Sequence, residues 1–100
     1  MFVEVVDGVG AVRDADNLKA LSVRAASAAS LVDAALVRGV ADDGSHVWLD
    51  IVELKARGAA TVADPAAWGA GFDGMIAFAG QHGWVNDTGD AVRAHVEPPA

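Results

Sequence analysis

Hydrophobic positions along this chain recur with two different periods, and the change from one to the other marks the elements. Residues 2–6, rich in β-branched and aromatic side chains and closed by Asp7-Gly8, predict a strand. Residues 8–17 carry Gly8, Gly10 and a polar end, and predict a loop. Residues 18–25 read either way. Leu21, Val23 and Ala25 alternate as a strand able to pair with the first, while the alanines that follow suit a helix; the strand is preferred.

A helical period follows. Residues 27–38 predict a helix capped by Ser27 or Ser30, with Leu31, Val32, Ala35 and Leu36 as its stripe, Arg38 in its last turn and Gly39 beyond its end. Residues 40–50 predict a hairpin about Asp43-Gly44, a type I′ turn signal, with Val47 and Leu49 on one face and His46, Trp48 and Asp50 on the other. A short helix comes next, with Asp50 as N-cap, Glu53 at N3 and Gly58 at its end. Asp64-Pro65 opens the last helix, which buries Trp68, Phe72, Met75, Ile76 and Ala79 and stops at Gly83. Its internal glycines imply an irregular first turn or the close approach of another element. Residues 84–86 and 91–97 predict a second hairpin around Asp87-Thr88-Gly89, in which Trp84 pairs with Val92 as core.

The two halves echo each other. Aligning Gly39 with Gly83, and skipping Thr88, pairs Ala35 with Ala79, Asp43 with Asp87, Gly44 with Gly89 and Val47 with Val92. A helix–hairpin duplication is one reading; the other is that α+β chains commonly reuse this order of elements. The expected fold is a single α+β domain over residues 1–97, an antiparallel sheet of about four to five strands packed by two main helices, with residues 98–100 as a tail. A helix followed by a hairpin is also the outline of a winged helix.

Charge narrows the function. Seven basic residues face fourteen acids, for a formal charge of −7. Nucleic-acid binders neutralise phosphates with clustered Lys and Arg, and anionic membranes attract the same clusters, so neither partner is expected. The 53% apolar content is that of a folded chain. The chain has no cysteine, which removes disulfides, thiol nucleophiles and Cys-based metal sites. The start lacks a basic segment and a long apolar one, so a cytoplasmic location is expected. Heavy use of Ala, Val, Gly, Asp and Arg matches GC-rich, bacterial-type coding.

Gly69-Ala70-Gly71-Phe72-Asp73-Gly74 fits G-x-G-x-x-G, but it follows the start of a helix rather than a strand, which a dinucleotide site requires. His46, Asp50 and Glu53, with His95, offer metal-ligand chemistry without a standard spacing, and His46 and Asp50 lie about 13 Å apart along a strand. His46, His82 and His95 are the side chains whose ordinary pKa suits acid–base work, and no serine has a nucleophile-elbow context. No catalytic residue, metal or cofactor is assigned. Trp48 is the candidate contact, because an outward Trp on a sheet is either covered by the chain or marks a binding surface. The leading expectation is a non-enzymatic interaction or regulatory module, acting as a homodimer or with a protein partner through Trp48 and the last helix. The alternative is a small-ligand-binding protein or enzyme, its pocket near Trp48, His46, Asp50 and His95. An acidic mimic of nucleic acid ranks last, since the acids are spread through turns.

Overall fold

The structure, a computed structural model, describes residues 1–99; Ala100, the end of the expected tail, lies outside the described residues. β1 (Phe2–Val6) and β2 (Val9–Arg13) form an antiparallel hairpin. Asp7 and Gly8 have φ of 51° and 83°, the paired left-handed conformation of a type I′ turn. The loop expected over residues 8–17 is therefore a strand in its first half, with Val12 buried opposite Val3.

The chain then crosses the start of β1. The Met1 ammonium donates to the carbonyls of Asn17 and Ala20, at 2.6 and 3.1 Å, which pins the crossing and lets β3 (Ser22–Arg24) run parallel to β1. The strand preferred for residues 18–25 thus forms at Ser22–Arg24.

The helix expected over residues 27–38 does not form. A single 3-10 turn occupies Ala28–Ser30, and the Ser27 side chain bonds the Ser30 hydroxyl at 3.2 Å rather than capping a backbone N–H. Of the proposed stripe, Leu31 and Leu36 are buried, but Val32 is 74% exposed. The physical reason lies between them: Asp33 turns inward, and its carbonyl accepts from Leu36 and Val37 N–H in a turn. β4 (Val37–Val40) follows directly and pairs antiparallel with β5 (His46–Asp50). Their connection is not type I′. Only Gly44 has positive φ there, 74°; its N–H donates to the Ala41 carbonyl, while Asp43 accepts from the Ser45 N–H and hydroxyl.

The helix caps form as expected. α1 (Ile51–Ala59) starts with Glu53 N–H donating to Asp50 Oδ2 at 2.9 Å. α2 (Pro65–Gln81) starts with Ala67 N–H donating to Asp64 Oδ1 at 3.2 Å. Gly58 does not end α1. It is buried in the last turn, where a Cβ would run into the Trp68 ring. β6 (Ala91–Glu97) then inserts between β3 and β5, giving the order β2-β1-β3-β6-β5-β4. It runs parallel to β3 and antiparallel to β5. The fold is α+β, but the sheet has six strands and is mixed, where an antiparallel sheet of four to five was expected. The helix–hairpin duplication fails with its first helix: Gly39 sits in a strand, while Gly83 follows α2 with φ of 75°.

The sheet has two unlike faces. Val3, Val23, Val47, Leu49 and Val92 are buried in one core with Leu54 of α1 and Phe72 of α2. Trp68 joins them, and its indole N–H donates to the Ala15 carbonyl at 2.7 Å. The opposite face carries Phe2, Glu4 and Arg24 on the β1 side and His46, Trp48, Arg93 and His95 on the β5–β6 side; all are exposed or half-buried. Among the described residues, no helix is long and apolar enough to cross a membrane.

Candidate functional site

Three segments converge at one end of β6. The first is residues 18–21, held by the Met1 ammonium. The second is the C-terminal half of α2. Leu18 also packs on the N-terminal half of α2 at Gly71, where a Cβ would lie 2.7 Å from Leu18 Cδ1; this is one close approach that the helix glycines serve. The third is the stretch after α2. The expected second hairpin is short there: Val85, not Trp84, bridges Val92, flanked by Arg93 N–H donating to the Trp84 carbonyl at 2.8 Å and Asn86 N–H donating to the Ala91 carbonyl at 3.0 Å.

Between these segments lies a groove with a cavity of about 450 Å³. Its walls are apolar, formed by Leu18, Leu21, Met75, Ile76 and Phe78 with Val92 behind them. Trp84, expected in the core, is 38% exposed and stands at the groove instead. His82 stacks on the Trp84 ring at 4.7 Å between centroids, and Phe78 packs on His82 at 4.4 Å, so the rim is aromatic. A smaller cavity of about 200 Å³ adjoins it, sharing Leu21, Trp84 and Arg93 and adding His46 and His95. Lys19 and Arg93 are the charged residues of the groove, and no Asp or Glu lines either cavity.

The four residues singled out from the sequence separate. His46 and His95 are register partners on β5 and β6, their rings edge-on with centroids 5.5 Å apart. Burial, with Arg93 and His95 nearby, pushes the His46 pKa below its ordinary value. His46 Nδ1 lies 2.8 Å from Ser45 Oγ, and that hydroxyl donates to Asp43 at 2.6 Å. The hydroxyl proton therefore points to the carboxylate, so Nδ1–H donates to Ser45 and the serine is not prepared as a nucleophile. Asp50 caps α1 and pairs with Arg38 at 3.4 Å, a structural role. Trp48 lines neither cavity. It lies across Gly39 of the edge strand, where a Cβ would sit 3.7 Å from Trp48 Cδ1, an aromatic ring shielding a strand glycine. Among the described residues, no group of three or more His, Asp or Glu is arranged to hold a metal ion. Gly69 to Gly74 lie inside α2, away from any strand end.

Sequence reasoning missed Lys19, Arg93 and the exposure of Trp84. Strand alternation does place Arg93 opposite Trp48 on the outer face. What it cannot supply is the neighbour on the other side, since the meeting of residues 18–21 with β6 depends on a crossing far from either in sequence.

One cluster outside the groove has its polar groups answered. Arg57 of α1 bonds both carboxylate oxygens of Asp33, Glu53 at 2.9 Å and the Gly10 carbonyl at 3.0 Å, while Gly10 N–H donates to Asp33 at 3.0 Å. These bonds satisfy the outward N–H and C=O of β2 at Gly10, on the sheet edge. The Arg57 guanidinium, with help from the Gly10 N–H, holds the Asp33 carboxyl at about 2. In the loop before β6, Asn86, Thr88 and Arg38 likewise hold Asp90 at about 2. No family model, curated protein or solved structure matches this chain.

Proposed function

We propose that this protein binds a small ligand in the groove between residues 18–21, α2 and Trp84, and that it does so without catalytic machinery. The observation that carries the reading is the groove itself. At about 450 Å³ it falls in the range of roughly 300–1,000 Å³ typical of small-molecule sites. Its walls are apolar and its few charges, Lys19 and Arg93, are of one sign, as orientation of a bound molecule requires. The polar groups nearest to it argue for binding rather than turnover, because Ser45 is turned toward Asp43 and no carboxylate stands by to act as base.

A thermal-shift screen of apolar acids, alcohols, amines and nucleotides tests this. A ligand at 100 times its dissociation constant adds about 2.7 kcal/mol, a shift of several degrees in a domain of this size. Met75→Trp, which fills the cavity, is expected to abolish the shift while the fold survives. A flat screen at millimolar concentrations removes the reading.

The homodimer or protein-partner reading keeps one observation of its own. Val6, Val9 and Val32 are all exposed, and Val32 N–H donates to the Gly8 carbonyl at 2.9 Å, which brings it onto the first hairpin turn. Such a patch suits self-association. Light scattering of the wild type and Val32→Asp tests it; an unchanged monomer mass in both ends that reading.

A further inference from the structure

We propose that the ligand of the groove is an apolar molecule carrying a single carboxylate, its body between Leu18, Met75 and Phe78 and its carboxylate on Arg93. This rests on the reading of the groove as a small-ligand site and adds the ligand's chemical class. The placement of charge points to this class. The chain has seven basic residues against fourteen acids, so cations have many carboxylates to pair with. Arg13, Arg38, Lys55 and Arg57 are each paired with at least one. Arg24 lies over the Phe2 ring at 3.7 Å. Lys19 and Arg93 remain, and among the described residues neither side chain makes an ion pair or hydrogen bond. Both line the same apolar groove, and no acid lines it with them.

Arg93 is also the better placed of the two. It sits in β6, opposite Trp48 in register, with its N–H tied to the Trp84 carbonyl. A guanidinium on a fixed strand offers a planar fork that a carboxylate meets with two parallel hydrogen bonds. Lys19, a compact point charge on a flexible stem at the other wall, adds positive potential without fixing an orientation. The apolar walls make the body of the ligand hydrophobic, and the adjoining smaller cavity beside Arg93 leaves room for the head.

The test compares matched pairs by calorimetry and Trp fluorescence: 2-naphthoate against 2-naphthamide, and decanoate against decanol. For the wild type, each carboxylate is expected to bind at least about tenfold tighter than its neutral counterpart, the size of one charge-assisted contact. Arg93→Gln is expected to reduce the carboxylate to the affinity of the neutral compound and leave the neutral compound unchanged. Arg93→Lys is expected to recover part of the difference. Equal affinities for acid and neutral compound in the wild type overturn the proposal and leave the groove standing as a ligand site. Failure of all four compounds to bind the wild type overturns the proposal; if the wider screen is flat as well, the groove falls with it. The wild-type comparison decides even if the Arg93 variants do not fold.

Discussion

Arg57 and Arg93 are two arginines of one small acidic fold, and they are treated in opposite ways. Arg57 is 22% exposed at its side chain and bonds Asp33, Glu53 and the Gly10 carbonyl. Arg93, on the outer face of the central strand β6, lines the apolar groove and the smaller cavity beside it and meets no acid there. The first arrangement holds a loop to the sheet edge: residues 31–36 are not regular, and Asp33 is what fixes them to β2 and α1. The second fixes nothing in the fold. A cation held on a rigid strand without a partner is available for binding, and a cation with four of its five N–H donors used serves stability.

The largest expected effect lies on the Arg57 side. Asp33→Ala removes a carboxylate whose side chain is 8% exposed, leaves Gly10 N–H without its partner, and leaves the guanidinium with Glu53 and the Gly10 carbonyl alone. The expected loss is about 2–3 kcal/mol, near the lower bound for breaking a buried pair because Arg57 reaches solvent; urea unfolding measures it. A loss under half of that would mean the clamp does not hold residues 31–36.

Acid should weaken the same clamp. The Asp33 carboxyl titrates at about 2 in the fold against 3.8 ordinarily. A depressed folded pKa gives stability that is complete above the ordinary value and lost as pH falls from about 4 through about 2. Near pH 7 that contribution is about 2 kcal/mol. Asp33→Asn is therefore expected to differ from wild type at pH 7 and to converge with it near pH 2; a constant gap in urea melts across this window contradicts the assignment.

Smaller effects belong to the groove. Gly71→Val pushes on Leu18 Cδ1, the end of a flexible side chain, so stability should change by less than about 1 kcal/mol, with a weaker ligand-induced thermal shift because Leu18 forms a wall. Arg93→Gln should change stability by no more than about 0.5 kcal/mol while reducing carboxylate binding. If Arg93→Gln destabilised as much as Asp33→Ala, the contrast between the two arginines would fail.

What could be read from the sequence follows the range of the signal. Asp50 and Asp64 cap the two helices as their spacing indicated, because a cap needs only the next three residues. The alternation in β5 was legible for the same reason. The two Asp-Gly pairs show where local reading stops. Asp7-Gly8 makes the type I′ turn and Asp43-Gly44 does not, since the latter has a longer loop in which Asp43 bonds Ser45. Residues 27–38 carry a plausible helical stripe, but a carboxylate in its middle found Gly10 and Arg57, and the helix lost to that contact. The mixed sheet depends on β6 entering between β3 and β5, a pairing set by the whole chain. The groove inherits that illegibility: Leu18, Met75, Trp84 and Arg93 meet only once β6 is in place.

Binding at Trp84 and Arg93, rather than around Trp48, can be read from the indole rings. The three tryptophans, Trp48, Trp68 and Trp84, give three indole N–H signals in a ¹⁵N-correlated NMR spectrum. Titration with 2-naphthoate should move the Trp84 signal most and leave Trp68, whose N–H is held by the Ala15 carbonyl, unmoved. A titration that moves Trp48 while Trp84 stays fixed, or one that moves neither, would contradict it.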